Sequence, residues 1–285
     1  MPRFGLYAMI AALLAGPAAA EIRIVAAENF YGDVAQQLAG ANATVTSILS
    51  NPDQDPHMFE ASPSTARDLS AAAIAVYNGA DYDPWMAKLL SAARSANRKV
   101  IIVANLVHKQ AGDNPHLWYD PPTMPAYAKA LTVALSERDP AHKAEYAQRL
   151  TAFLASLQPV QAKIAEMRAK FAGTKVTATE PVVGYLAAAI GVTMRNERFQ
   201  LAVMNDTEPR VSDVMAFEDD LREHQVRLLF YNSQASGAAA TRLVGIARSA
   251  NIPVVGVTET EPADTRFQDW MMRELAAIAQ ALSAS

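Results

Sequence analysis

Cysteine is absent from all 285 residues. That excludes disulfides, thiolate metal sites and a cysteine nucleophile, and with them a lipid-modified cysteine behind an export signal. Long hydrophobic runs are nearly absent too. The stretch from Leu6 to Leu14 is shorter than the ~20 residues that a spanning helix needs. Preceded by Arg3 and followed by Pro17-Ala18-Ala19-Ala20, it reads as a cleavable secretory signal over residues 1–20. The mature chain then starts near Glu21, and it is expected to be soluble and unanchored in an exported compartment, a Gram-negative periplasm. Excess positive charge is also missing. With 25 basic against 29 acidic side chains, a net charge of −4, neither nucleic acid nor an anionic membrane is the expected partner. No low-complexity segment or short repeat interrupts the mature chain. Histidine is scarce at five residues, so the positions of those five carry information.

What the chain does have is alternation. Short β-branched runs are followed by alanine-rich amphipathic stretches, which is the pattern of α/β architecture. Strands are predicted at 22–26, 43–49, 74–77 and 100–103 in the first half, and at 175–179, 192–195, 227–231 and 254–258 in the second. This predicts two similar parallel-sheet lobes, residues 21–138 and 173–285, joined by a long helix over 139–172. Asp139-Pro140 is a good helix start and Ala172-Gly173 a matching stop. Pro159 should kink that helix, because it removes one backbone bond and crowds the preceding turn. Two helices broken at Leu157–Pro159 are the alternative.

Two of the five histidines share one local pattern, Pro56-His57-Met58-Phe59 and Pro115-His116-Leu117-Trp118. Imidazole is the commonest protein ligand for transition metals, and a preceding proline restricts the backbone that aims it. In parallel α/β sheets ligands bind at the carboxyl ends of strands. His57 falls in the loop after the second predicted strand and His116 after the fourth. Glu180 and Glu259 directly follow two strands of the second half. Two imidazoles from one lobe thus face two carboxylates from the other across a crevice. Glu180 could instead cap the helix that follows it. Should Glu259 cap rather than ligate, Asp264 is the next candidate. Asp55, Glu60 and Asp120 read as groups that cap, or that accept the free ring N–H of a ligating histidine. His108, His142 and His224 read as surface residues. Trp85, Trp118, Trp270, Met86, Met271 and Met272 read as core. Tyr231-Asn232-Ser233-Gln234 ends a strand at the crevice, where lining the site and ordinary loop chemistry are equal explanations.

These motifs resemble those of the zinc/manganese solute-binding proteins of ABC importers. Asp55-Pro56-His57-Met58-Phe59-Glu60 is similar to the family's first ligand motif, and Asn114-Pro115-His116-Leu117-Trp118-Tyr119-Asp120-Pro121 to its second. Glu180, leading into Gly184-Tyr185-Leu186, stands at the third-ligand position, and Thr258-Glu259-Thr260 at the fourth. The resemblance covers essentially the whole mature chain. It implies two lobes around a long helix and a metal site made by His57, His116, Glu180 and Glu259. It also implies delivery of the metal to a membrane permease powered by a cytoplasmic ATPase. Many zinc members carry a long histidine-rich loop between the first two ligands. This chain has only His108 there, which argues against high-capacity zinc scavenging.

Two neutral imidazoles and two carboxylates balance one divalent cation. By ligand type they suit zinc or manganese, ferrous iron less, and disfavour copper(I). The rival class is a secreted metal-dependent hydrolase using the same ligands. Catalytic zinc keeps an open position for water, whereas four protein ligands would close the sphere, and neither His-Glu-x-x-His nor Gly-x-Ser-x-Gly occurs. A monomeric binding protein rather than an enzyme is the expectation.

Overall fold

A computed structural model describes residues 21–51, 59, 62–205, 207–234 and 237–284. The first half forms a four-stranded parallel sheet from β1 (Ile22–Glu28), β2 (Ala43–Leu49), β3 (Ile74–Tyr77) and β4 (Lys99–Ile102), in the order β2-β1-β3-β4. The second half repeats this with β5 (Lys175–Ala178), β6 (Thr193–Arg195), β7 (Leu229–Asn232) and β8 (Val254–Val257), in the order β6-β5-β7-β8. All eight predicted strands are present, with ends shifted by at most two residues. β1 is almost continuously buried, as expected for an inner parallel strand covered on both faces.

Helices fill the crossovers. α1 (Asn29–Ala39) leaves β1 directly, and α2 (Pro63–Ala71) and α3 (Pro84–Ala92) flank β3. The short α4 (Val103–Leu106) follows β4, and α5 (Thr123–Arg138) closes the first lobe. In the second lobe α8 (Gly184–Ala189), α9 (Glu197–Met204), α10 (Val211–Arg222) and α11 (Ala238–Ser249) alternate with strands, and α12 (Phe267–Ala284) ends the chain.

The connecting stretch is helical in two segments, α6 (Lys143–Ser156) and α7 (Gln158–Phe171), which meet at Leu157. Leu157 keeps helical dihedrals (φ −82°, ψ −12°). The hydrogen-bond ladder is interrupted here, so the single kinked helix expected over 139–172 is instead the alternative of two segments. Pro159, one residue into α7, supplies no N–H to the ladder, which accounts for a break at this point.

Both lobes share one core. A single buried cluster takes in Ile24, Phe30, Trp118 and Tyr127 from the first lobe, and Val176, Phe230, Trp270 and Leu275 from the second. Phe30 stacks against Trp118 at 4.6 Å and against Trp270 at 6.1 Å between ring centroids. Trp118, Trp270, Met86 and Met271 are buried as predicted, with Trp85 and Met272 packed at the core edge. Polar links reinforce the join. Asn29 and Glu261 exchange two bonds: Asn29 Nδ2 donates to the Glu261 carbonyl at 2.7 Å, and Glu261 N–H donates to Asn29 Oδ1 at 3.0 Å. Asp33 accepts the Phe267 N–H at the start of α12. Among the described residues no helix is long and apolar enough to cross a membrane.

Candidate metal centre

His116 lies beyond β4 and α4 in the loop that enters the turn Leu117–Tyr119, and it is 1% exposed. Its aim is set by Asn114. Asn114 Nδ2 donates to the Pro181 carbonyl at 2.7 Å, so Oδ1 is the atom that turns toward the histidine. That oxygen accepts both the His116 backbone N–H (3.1 Å) and ring Nδ1–H (2.7 Å). A neutral imidazole protonated at Nδ1 carries its lone pair on Nε2. Nε2 lies 3.6 Å from Glu259 Oε2. The loop is also held from beneath, because Asn78 Nδ2 donates to the Pro115 carbonyl at 2.8 Å and Asn78 Oδ1 accepts from Tyr31 OH at 2.7 Å.

The carboxylates arrive from the second lobe. Glu180 stands just past β5, and Glu259 just past β8 at 1% exposure. Asn232, the last residue of β7, connects them. Its Nδ2 donates to Glu180 Oε2 at 3.0 Å and to Glu259 Oε1 at 2.5 Å. Gln234 ties down the same loop, accepting the Glu259 N–H on Oε1 at 2.5 Å and donating from Nε2 to Thr260 Oγ1 at 2.6 Å. Tyr82 faces Glu259 from the first lobe. Burial, followed by the charges of Glu259 and Glu28, holds its phenol well above the ordinary range, so it stays a proton donor toward Glu259.

His116, Glu180 and Glu259 are therefore brought to one crevice. His57 lies outside the described residues, as do Asp55 and Glu60. Phe59, from the same motif, packs on Trp85 at 4.3 Å. Among the described residues no three His, Asp or Glu side chains are close enough to hold an ion by themselves. Asp264 is exposed on a positive-φ turn, whereas Glu259 is buried against His116, so the geometry favours Glu259 over Asp264. The role of accepting the ring N–H of His116 falls to Asn114 and not to Asp120. An amide fixed by its own bond to Pro181 is available two residues upstream, while Asp120 is drawn to Lys109. His108 and His224 are exposed, and His142 is a partly exposed partner of Asp139.

Sequence reasoning missed a second acidic pair beneath the site. Glu28 closes β1 fully buried, and Asp83 is 1% exposed. Burial raises the Glu28 carboxyl well above its usual range, and the facing Asp83 raises it further. Burial also pushes Asp83 up to about 6, against the pull of the Gly79 and Asn78 N–H groups at 2.8 and 2.7 Å. Such a pair holds a proton between its members. Glu28 ends a strand just as Glu180 and Glu259 follow theirs, so the strand-end criterion applied to β1 would have found it.

Known proteins share this fold. The periplasmic zinc-binding protein TroA from Treponema pallidum superposes with a TM-score of 0.77 at 18% identity, over 92% of this chain and 99% of that one. The metal ABC transporter substrate-binding lipoprotein ScbA of Streptococcus cristatus is 23% identical over 284 residues, covering 92% of this chain and 89% of its own length. The manganese ABC transporter substrate-binding lipoprotein PsaA of Streptococcus pneumoniae is 23% identical over 266 residues, covering 88% and 84%. The streptococcal relatives are lipoproteins by name, and this corrects the expectation of an unanchored periplasmic protein. Missing cysteine decides which attachment chemistry these 285 residues can supply, not where the protein resides. Residues 24–281 match the ZnuA family, described as zinc-uptake complex component A, periplasmic, and the chain belongs to that family.

Proposed function

We propose that the crevice between the lobes captures one divalent transition metal ion, zinc or manganese, and presents it to the permease of an ABC importer. The ligands in this reading are His57, His116, Glu180 and Glu259. The observation that carries it is the His116 ring, buried, held by Asn114 at Nδ1, with Nε2 turned toward Glu259 Oε2. A neutral imidazole clamped by a hydrogen bond on its far nitrogen is the form that binds metals. Relatives named as metal ABC transporter substrate-binding proteins support delivery to a permease.

Residues 21–138 and 173–285 act as the two jaws, with 139–172 as the strut. The shared aromatic core favours a small tilt or a loop rearrangement over wide hinge opening. Four protein ligands leave no open position for a nucleophilic water, so the reading is of a carrier and not an enzyme. The test is the metal content of the purified chain by mass spectrometry. About one ion per chain is expected, lost in His57→Ala and His116→Ala. Metal-free protein whose melting temperature ignores added zinc and manganese would sink the proposal, and turnover on ester or peptide panels would favour a hydrolase instead.

A further inference from the structure

We infer that Asn232 determines which metal the site prefers, by restricting Glu180 and Glu259 to one coordinating oxygen each and so favouring zinc over manganese. The inference rests on the capture reading above and goes on to name the selectivity device.

The amide's orientation is not free. Asn232 Oδ1 accepts the Gln234 N–H at 3.0 Å, so Nδ2 must be the end that faces the crevice. The residue is 2% exposed and closes β7, a strand paired to β8 on one side and β5 on the other. Its position is therefore set by the sheet that carries both glutamates. The Nδ2 group has two hydrogens. One goes to Glu180 Oε2 and the other to Glu259 Oε1. Glu259 meets the amide through Oε1, and its Oε2 is the oxygen near His116 Nε2.

A carboxylate oxygen that already accepts an amide hydrogen bond is a poorer partner for a cation than its twin. Both groups are thus biased to bind through a single oxygen. With the two imidazoles of the capture reading, two single oxygens would make four donors, the number zinc takes in closed sites with nitrogen and oxygen at about 2.0–2.2 Å. Manganese is served by larger, oxygen-rich shells, which two-oxygen carboxylates would supply. Removing the Nδ2 donor frees both glutamates to bind through two oxygens and relaxes the preference.

The experiment uses the full purified chain, stripped of metal and titrated with zinc and manganese separately and in competition. Asn232→Leu keeps roughly the side-chain volume and deletes the amide. Zinc affinity is expected to fall by about 10- to 100-fold, the usual cost of losing a group that orients a ligand. Manganese affinity is expected to fall much less, so that the zinc-to-manganese ratio drops by about tenfold or more. A purely structural role would weaken both ions together, and an unchanged ratio would overturn the inference. X-ray absorption at the zinc edge of the wild-type protein gives an answer independent of whether the variant folds. Four nitrogen or oxygen neighbours support the inference, and five or six overturn it. Wild-type protein that takes up neither ion would instead overturn the capture reading itself.

Discussion

Asn114 holds His116 at two points, accepting its backbone N–H at 3.1 Å and its ring Nδ1–H at 2.7 Å on the same oxygen. The side chain that does this is anchored across the lobe boundary by its bond to the Pro181 carbonyl, next to Glu180. One asparagine therefore sets the tautomer of His116 on one lobe and ties its loop to the other.

Asn114→Ala is expected to lower metal affinity by about 10- to 100-fold and to leave the circular dichroism of the metal-free protein unchanged. Gly184→Ala approaches the same point sterically. A Cβ there would meet Asn114 Nδ2 at 2.8 Å, which displaces the amide. Isothermal titration of both variants checks this, and wild-type affinity in both would show that the clamp has no part in binding.

Metal binding should stabilise the fold by mass action. At a free ion concentration 100 times the Kd, the gain is ~2.7 kcal/mol, seen as a rise in Tm on adding zinc or manganese. In His116→Ala that rise should vanish. A variant that still shows the full shift would remove His116 from the ligand set.

The buried acids predict the opposite pH response in the metal-free protein. Asp83 is pushed up to about 6 and Glu274 to about 7, in both cases chiefly by burial. A carboxyl whose folded value is raised favours the fold while protonated. Stability is therefore full below the unfolded value near 4 and declines as pH rises through 6 and 7, by on the order of 3 kcal/mol per group. Glu274→Gln should flatten the upper part of that decline in chemical denaturation between pH 5 and 8. Metal affinity should instead rise with pH, because the ligands must lose their protons.

Trp270 contributes to the core that both lobes share. Truncating it to alanine should cost ~3–5 kcal/mol. Because Phe30 and Tyr119 of the first lobe pack on it, at 6.1 and 5.7 Å, the chain should unfold in one transition reported alike by near- and far-ultraviolet dichroism. Two separate transitions would show that the lobes are independent.

Much of this architecture was legible before any coordinates. Parallel strands buried on both faces leave unbroken β-branched runs such as Ile22–Ala26, and amphipathic helices leave a 3.6-residue period, so both sheets and their crossovers are written locally. The two Pro-His motifs and the strand-end positions of Glu180 and Glu259 were visible for the same reason. Pro159 marked the point of disturbance but not its extent: one kinked helix was the expectation, and two segments meeting at Leu157 are what the fold adopts.

The supporting shell was not legible. Asn232 meets Glu180 and Glu259 across 52 and 27 residues of sequence, and Asn114 meets Pro181 across 67. Such pairings depend on which strands become neighbours, β5 with β7 and β7 with β8, and on how a shared aromatic core sets one lobe against the other. An asparagine carries no local signature that separates a loop residue from a ligand's anchor. The sequence by itself determined the two-lobed α/β frame and the metal-ligating candidates, because both rest on short-range periodicity and motif. Tertiary structure alone decided which amides hold those candidates and through which oxygen, because hydrogen-bond geometry exists only once distant strands are brought side by side.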